Sequence, residues 1–434
     1  MNKKKILVIG GGGREHALTW KLSQSQKVEQ LFVAPGNAGT AGIAKNVDIK
    51  ATDIPALVKF ALDNAIDLTV VGPDDPLAAG IVDEFQKAGL KVFGPTAAAA
   101  RIEASKAFSK GLMEKHGVPT AAYRIFSNPE DAAVYLDTQT FPVVIKASGL
   151  ALGKGVLICK DKQEALGALK TIMVDKSFGD SGNEVVVEEY LGNNQEISIH
   201  CITDGESTLL FPTAQDHKPI FDGDKGPNTG GMGTYAPIPW AGDEYVSWAE
   251  KNVVSPILSG LKQGNSTFTG LLYPGLKLTE SGPKVLEFNA RFGDPETQSY
   301  MRLLDTDIYD IFEAAVNGTL GQVQAKWQEG FAVCVILASK NYPNGSSAPV
   351  PISGIEEAEK YPDVVVFHSG TKVIDGVLHA SGGRVLGVTA TGKTLQSAVD
   401  AAYEAVEKIT FDGMQYRKDI AAKALSGKTP ISTI

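Results

Sequence analysis

Cysteine is scarce in this chain. Only Cys159, Cys201 and Cys334 occur in 434 residues, an odd number too scattered for a disulfide framework or a zinc site. That usage fits a reducing compartment. Long apolar runs are also lacking, and no stretch approaches the roughly 20 residues of a membrane span. The opening Met1-Asn-Lys-Lys-Lys5 is followed by four apolar residues before glycine, too few for a signal peptide. An excess of positive charge is missing as well. Lys and Arg number 41 against 50 Asp and Glu, a net charge of −9, which argues against nucleic acid or an anionic membrane as a bulk partner. An anionic substrate must therefore be caught by local donors. These absences predict a soluble, cytoplasmic protein acting on small molecules.

What is present is ordinary globular composition, 43% hydrophobic and 21% charged, in a chain too long for one core. Residues 5–100 alternate short apolar strands with helical patterns. Lys5–Ile9, Gln30–Ala34, Asp67–Val71 and Leu90–Phe93 each run into Gly or Pro, the pattern of a parallel sheet flanked by helices. Such sheets bind ligands in the loops at their carboxyl ends, here Gly10–Gly13, Pro35–Thr40 and Gly72–Pro76. Two strand-rich blocks follow, the first containing the loop Gly149–Gly155 and the second reaching about residue 325. A last α+β unit begins with the strand Phe331–Leu337. The expected units are 1–105, 106–192, 193–328 and 329–434.

The first glycine loop fails the dinucleotide fingerprint, because Glu15 and His16 stand where the third glycine is needed and the second strand ends without an acid. Backbone N–H groups at a helix start still suit a phosphate, here of a sugar. The loop Gly149–Gly155 lacks Walker spacing, yet Lys146 ends an apolar strand beside it and Lys154 lies within it. A lysine there needs an anion or a wet cleft, so the pair reads as a lid over triphosphate. Glu188 closes another apolar strand, suited to a purine edge, and Glu196 suits a ribose hydroxyl. Val285–Phe288 reads as a strand, which projects Glu287 and Asn289 from one face. A carboxylate beside an amide oxygen suits Mg²⁺, and Arg291 adds a fork for a carboxylate or phosphate. Two decoys are put aside. Gly179-Asp-Ser-Gly182 lacks the all-β, cystine-bonded setting of a protease nucleophile, and Asp216-His217 is one dipeptide, weak as a general base.

Taken together, Gly10–Ala17, Pro35–Thr40, Asp216-His-Lys218, Gly226–Gly233 and Arg291–Glu296 resemble the phosphoribosylamine–glycine ligase family of the ATP-grasp superfamily. The similarity runs from about residue 4 to 420 with the motifs in order. It implies an α/β and α+β multidomain fold: an N-terminal parallel sheet domain, two central ATP-grasp lobes and a small C-terminal α+β domain. It also implies ligation of glycine to 5-phosphoribosylamine at the expense of ATP, through a glycyl phosphate, with Mg²⁺ or Mn²⁺, by a monomer or weak dimer. By position, Glu287 and Asn289 correspond to the metal ligands. Lys106, Lys146, Lys154, Glu188, Tyr190, Leu191 and Glu196 correspond to the nucleotide site, with Tyr190 and Leu191 acting through backbone. Gly12, Gly13, Arg14, Asn37, Gly39 and Thr40 fall at the sugar phosphate. Arg291 would hold the glycine carboxylate, and Asp216 and Asp294 would order substrate amines. The chain departs from the family at Ser148, usually Asp, at Pro219, where a basic residue is frequent, and at Gln195, which replaces an acid. A different ATP-grasp ligase, or a nucleotide-binding regulator without turnover, would lack this set of motifs.

Overall fold

The computed structural model describes residues 3–151, 155–192, 195–345 and 347–427. Apolar runs buried on both faces make the first sheet. Strand β1 (Lys4–Gly10) sits centrally, flanked by β2 (Val28–Pro35) and β3 (Lys45–Asn46) on one side and β4 (Leu68–Val71) and β5 (Val92–Phe93) on the other, in the order β3-β2-β1-β4-β5. All its pairings are parallel. The chain doubles back between β1 and β4, so a crevice opens at their carboxyl ends. The helix Gly13–Ser23 starts there.

The helix Ala97–Ala104 leads out of this unit, and Ser105 breaks it and caps the helix Lys106–Lys115, its hydroxyl accepting from Phe108 N–H (3.2 Å). Next comes a small antiparallel sheet of β6 (Tyr123–Phe126), β7 (Val143–Ala147), β8 (Val156–Cys159) and β9 (Val185–Glu189), ordered β6-β9-β7-β8. Its inner face packs Ile145, Val187 and Phe126 against Leu169 and Leu136 of its helices. The large lobe is built on the long hairpin Gly270–Thr279 and Gly282–Asn289. One irregularity matters there. Glu287 pairs with Gly275 and Val285 with Leu276, so Leu286 is an extra residue. Bulges of this kind re-aim side chains beside active sites.

The expected division at 328/329 follows the chain but not the sheet. Gly233–Ala236 of the large lobe pairs antiparallel with Phe331–Ala338, and a five-stranded sheet runs from Gln215–Asp216 through both to Arg384–Gly392 and Val364–His368. Loops from the C-terminal unit are thereby held beside the central lobes. Among the described residues, no helix is long and apolar enough to cross a membrane.

Candidate active site

A cavity of about 450 Å³ lies where these units meet. Its wall draws Arg14 and Asp74 from the helices that follow β1 and β4, Glu103, Lys106 and Lys110 from the two connecting helices, and Glu188 from the small lobe. Lys218, Glu287, Asn289, Arg291 and Asp294 come from the large lobe, and Tyr342 and Arg384 from the C-terminal unit. Glu287, Asn289 and Arg291 thus share one cavity; the strand period puts the first two on one face, and Arg291 follows just beyond the strand end.

Arg291 is the hub of the acidic side. Its NH2 donates to Asn289 Oδ1 (2.9 Å) and lies 3.1 Å from Glu103 Oε1, while NH1 donates to the Phe292 carbonyl (3.2 Å). Burial opposes its charge, but Glu103 and Asp74 outweigh that and hold the guanidinium firmly protonated. Glu103 is pushed up to about 7, chiefly by burial, with Arg291 pulling the other way. Glu287 behaves differently. Burial raises its pKa, yet Lys218, Lys106, Lys146 and Arg291 together overcome this and leave it below the usual carboxylate value.

That pair fits a hard cation. Glu287 is ionised, and an amide oxygen that accepts one hydrogen bond keeps a second lone pair. Among the described residues, no three His, Cys, Asp or Glu side chains converge as a metal cage. Mg²⁺ does not need one, since it takes one or two protein oxygens and fills the rest with water and phosphate. The surrounding lysines repel a bare cation and favour one that arrives with a polyphosphate.

The lysines form the other wall. Lys146 Nζ meets Glu188 Oε2 at 2.8 Å and donates to the carbonyl of the bulged Leu286 (3.2 Å). Lys110 Nζ reaches Glu188 Oε1 (3.2 Å) and donates to Thr120 (2.6 Å). The Glu188 carboxylate is therefore clamped between two buried ammonium groups. Lys106 donates from Nζ to the Gly149 carbonyl (3.2 Å) and from its backbone N–H to the Ser148 carbonyl (2.7 Å), at the root of the glycine loop. Tyr190 and Leu191 are half-buried just beyond β9. Glu196 pairs with Lys277 (3.0 Å). Lys154 lies outside the described residues.

Of the six sugar-phosphate candidates, only Arg14 reaches the cavity wall. Asn37 is spent on structure: its Nδ2 donates to the carbonyls of Gly11 (3.0 Å) and His368 (2.8 Å), and its Oδ1 accepts from the N–H groups of Gly39 and Thr40. Thr40 Oγ1 bonds Asn46 (2.7 Å). Gly12 N–H donates to Glu15 Oε2 (2.6 Å), so one of the helix-start donors is already taken. The Glu15 carboxylate fills the crevice between β1 and β4, where Gly10, at φ +123°, and Gly72 leave it room. Gly13 packs against Gln298 and Ser369.

Asp216 borders a second, water-sized cavity of about 20 Å³ with Lys218, Tyr273 and Glu287. Burial and the nearby Glu296 push its carboxyl well up. Asp294 has one partner on each oxygen, with Oδ1 accepting from Gln298 (2.8 Å) and Oδ2 facing Arg384 NH2 (3.1 Å). The two decoys are structural. Ser181 Oγ donates to the Leu150 carbonyl (2.6 Å), and both ring nitrogens of buried His217 face backbone, at Gly233 O and Ala421 N–H. The three departures are absorbed locally: Ser148 Oγ accepts from Ala107 N–H, Gln195 from Gln215, and the Pro219 carbonyl from buried Arg417.

Sequence reasoning missed Glu103, Lys110, Arg384, Tyr342 and the role of Glu15. Glu103 and Lys110 lie on helices with no glycine loop or strand end to mark them. Arg384 and Tyr342 reach the site only through the sheet shared between the large lobe and the C-terminal unit. Lys218 stood inside a motif, but nothing in its spacing announced a cavity.

Three family models match most of the chain: phosphoribosylglycinamide synthetase N domain over residues 4–103, ATP-grasp (A) domain over 104–297 and C domain over 332–423. A phosphoribosylamine–glycine ligase of Rhodopirellula baltica is 46% identical over 98% of this chain and 99% of its own length. The crystal structure of the phosphoribosylamine–glycine ligase of Thermotoga maritima superposes with a TM-score of 0.84 at 31% identity, covering 96% of this chain and all of that one. The biotin carboxylase domain of Hydrogenobacter thermophilus 2-oxoglutarate carboxylase, solved with MgADP and bicarbonate, shares the fold at a TM-score of 0.74 and 16% identity, over 99% of this chain and 97% of its own.

Proposed function

The chain belongs to the phosphoribosylglycinamide synthetase family, and from that membership we propose how its cavity works as an ATP-dependent carbon–nitrogen ligase. The enzyme joins glycine to 5-phosphoribosylamine, giving glycinamide ribonucleotide, ADP and phosphate in purine biosynthesis. One observation carries the assignment of roles: Glu287, Asn289 and Arg291 line the same cavity as Lys106, Lys110 and Glu188, and Glu188 holds Lys146 behind that wall.

A carboxylate is a poor electrophile, and its attack on a triphosphate brings negative charges together. Lys106 and Lys146 offset that charge at the phosphates. Bound by Glu287 and Asn289, Mg²⁺ or Mn²⁺ would neutralise phosphate oxygens further and orient them. Arg291 holds the glycine carboxylate and then the acyl phosphate that forms from it. Asp216 orders the glycine amine. Asp294, held in place by Arg384 and Gln298 at one contact per oxygen, is a second group for ordering a substrate amine. Glu188, Tyr190, Leu191 and Glu196 frame the nucleoside, the middle two through backbone groups, with Lys154 on the lid. Arg14 contacts the sugar phosphate, while Gly12, Gly13, Asn37, Gly39 and Thr40 shape the loop beneath it. Closure of the loop from Gly149 to Gly155 excludes water from two hydrolysable species. The proposed enzyme acts in the cytoplasm as a monomer or weak dimer, with no nucleic-acid or membrane partner.

Phosphate release with ATP tests this. Release is expected to require glycine and phosphoribosylamine together. Equal release with bicarbonate alone would transfer the assignment to carboxylase chemistry.

A further inference from the structure

The metal pair has a supporting residue that belongs to neither strand nor loop of the site. Glu103 reaches in from the helix Ala97–Ala104 and makes two contacts on consecutive residues: Oε1 lies 3.1 Å from Arg291 NH2, and Oε2 accepts the Ala290 N–H at 2.7 Å. Ala290 stands between Asn289 and Arg291. A carboxylate needed only to neutralise the guanidinium could approach it from any side. This one also fixes the backbone that joins the guanidinium to the amide.

The same NH2 donates to Asn289 Oδ1 (2.9 Å). An asparagine amide can turn either its oxygen or its NH₂ outward, and only the oxygen can ligate a cation. The Arg291 hydrogen bond selects the orientation in which Oδ1 faces the guanidinium side of the cavity and retains a free lone pair. We propose that Glu103 is a positioning residue for the cation site: by clamping Arg291 and Ala290 it makes the guanidinium fix the Asn289 amide oxygen for a divalent metal. This rests on the reading that Glu287 and Asn289 are the metal ligands. Outer partners of metal ligands commonly control affinity by 10- to 100-fold.

Mn²⁺ can be titrated into the full-length protein at saturating ADP, with protein-bound Mn²⁺ followed by its EPR spectrum. Glu103→Ala is expected to weaken Mn²⁺ about tenfold and to raise the glycine KM. Glu103→Gln, which keeps the volume and one acceptor, is expected to weaken it about threefold, and it carries the test should the alanine variant not fold. In an Arg291→Ala background, Glu103→Ala should add at most about twofold, the share carried by the Ala290 N–H alone, because most of the effect runs through the guanidinium. A Kd within twofold of wild type in both Glu103 variants, or a full tenfold loss in the Arg291→Ala background, overturns the inference. Glu287→Gln separates the two levels. Loss of bound Mn²⁺ in that variant leaves the ligand assignment standing whatever Glu103 does, whereas wild-type binding removes the assignment and the inference together.

Discussion

Glu188→Gln is the sharpest test of how the phosphate wall is built. The substitution keeps the side chain's volume and removes one charge. In the native protein that carboxylate lies between Lys146 Nζ at 2.8 Å and Lys110 Nζ at 3.2 Å, and all three side chains are at most 7% exposed. Without it, two buried ammonium groups face each other unpaired. Removing one partner of a buried pair costs about 3–5 kcal/mol, and the cavity that Glu188 and Lys110 line places this case near the lower end. Part of the cost is escaped by deprotonation. Lys110, already pulled down to about 8 by burial, loses its main opposing influence. Lys146, proposed to face the phosphates, loses the carboxylate that positions it, so stability and nucleotide affinity should fall together. Because a protein with several units need not unfold in one step, the appropriate assay is hydrogen exchange in β7 and β9, which hold Lys146 and Glu188. A loss of about 3 kcal/mol corresponds to roughly a 100-fold faster exchange. Adding Lys110→Met should recover much of the loss, since only Lys146 then lacks its partner and it keeps the Leu286 carbonyl. Exchange within threefold of wild type, with the ATP KM unchanged, would show that the cluster is not coupled as described.

Arg291→Ala should remove about 2–4 kcal/mol of transition-state stabilisation, by analogy with loss of one preorganised donor; a kcat/KM within threefold of wild type would make Arg291 structural. Gly39→Ala should weaken docking between the first and last units, because a Cβ there overlaps the His16 ring and comes within 2.7 Å of His368 Cγ, and limited proteolysis of the C-terminal unit would register it. Acid stability follows from burial. Burial lowers His16 to about 3 and His200, His217 and His368 to about 4, so each stays neutral when folded and takes up a proton when unfolded below about 6.5. Glu103 and Asp216 are raised instead and keep their protons in the folded state. From these six groups the unfolded chain binds up to about two more protons between about pH 6.5 and 4.5, so stability should fall as pH falls, by up to about 3 kcal/mol per unit from them. The low-lying buried carboxylates Glu287, Asp294 and Glu296 add in the same direction at the acid end. Unfolding midpoints at constant ionic strength check this, and midpoints that rise toward pH 5 would contradict it.

Much of the architecture was legible because it is local. A parallel strand buried on both faces has no position for a charge, and the runs Ile6–Ile9 and Leu68–Val71, buried throughout, carry none. The period of two from Glu287 to Asn289 puts both on one face and needs no partner strand, whereas the bulge at Leu286 just before them was not legible. The order of motifs carried the family. Other readings stopped at the residue's own neighbourhood. Nothing in the sequence around Asn37 and Thr40 shows the bonds their polar atoms make within the loop and to His368, more than 300 positions away.

By itself, then, the chain's order of residues determined strand periods, glycine-dependent turns and the chemical character of the candidate cation pair, all of which depend on residues a few positions apart. Only the tertiary structure decided which charges oppose which. Glu103 beside Arg291, Lys110 beside Glu188 and Arg384 beside Asp294 are long-range pairings, and a charge's protonation and role are set by the groups that burial brings against it, not by its place along the backbone.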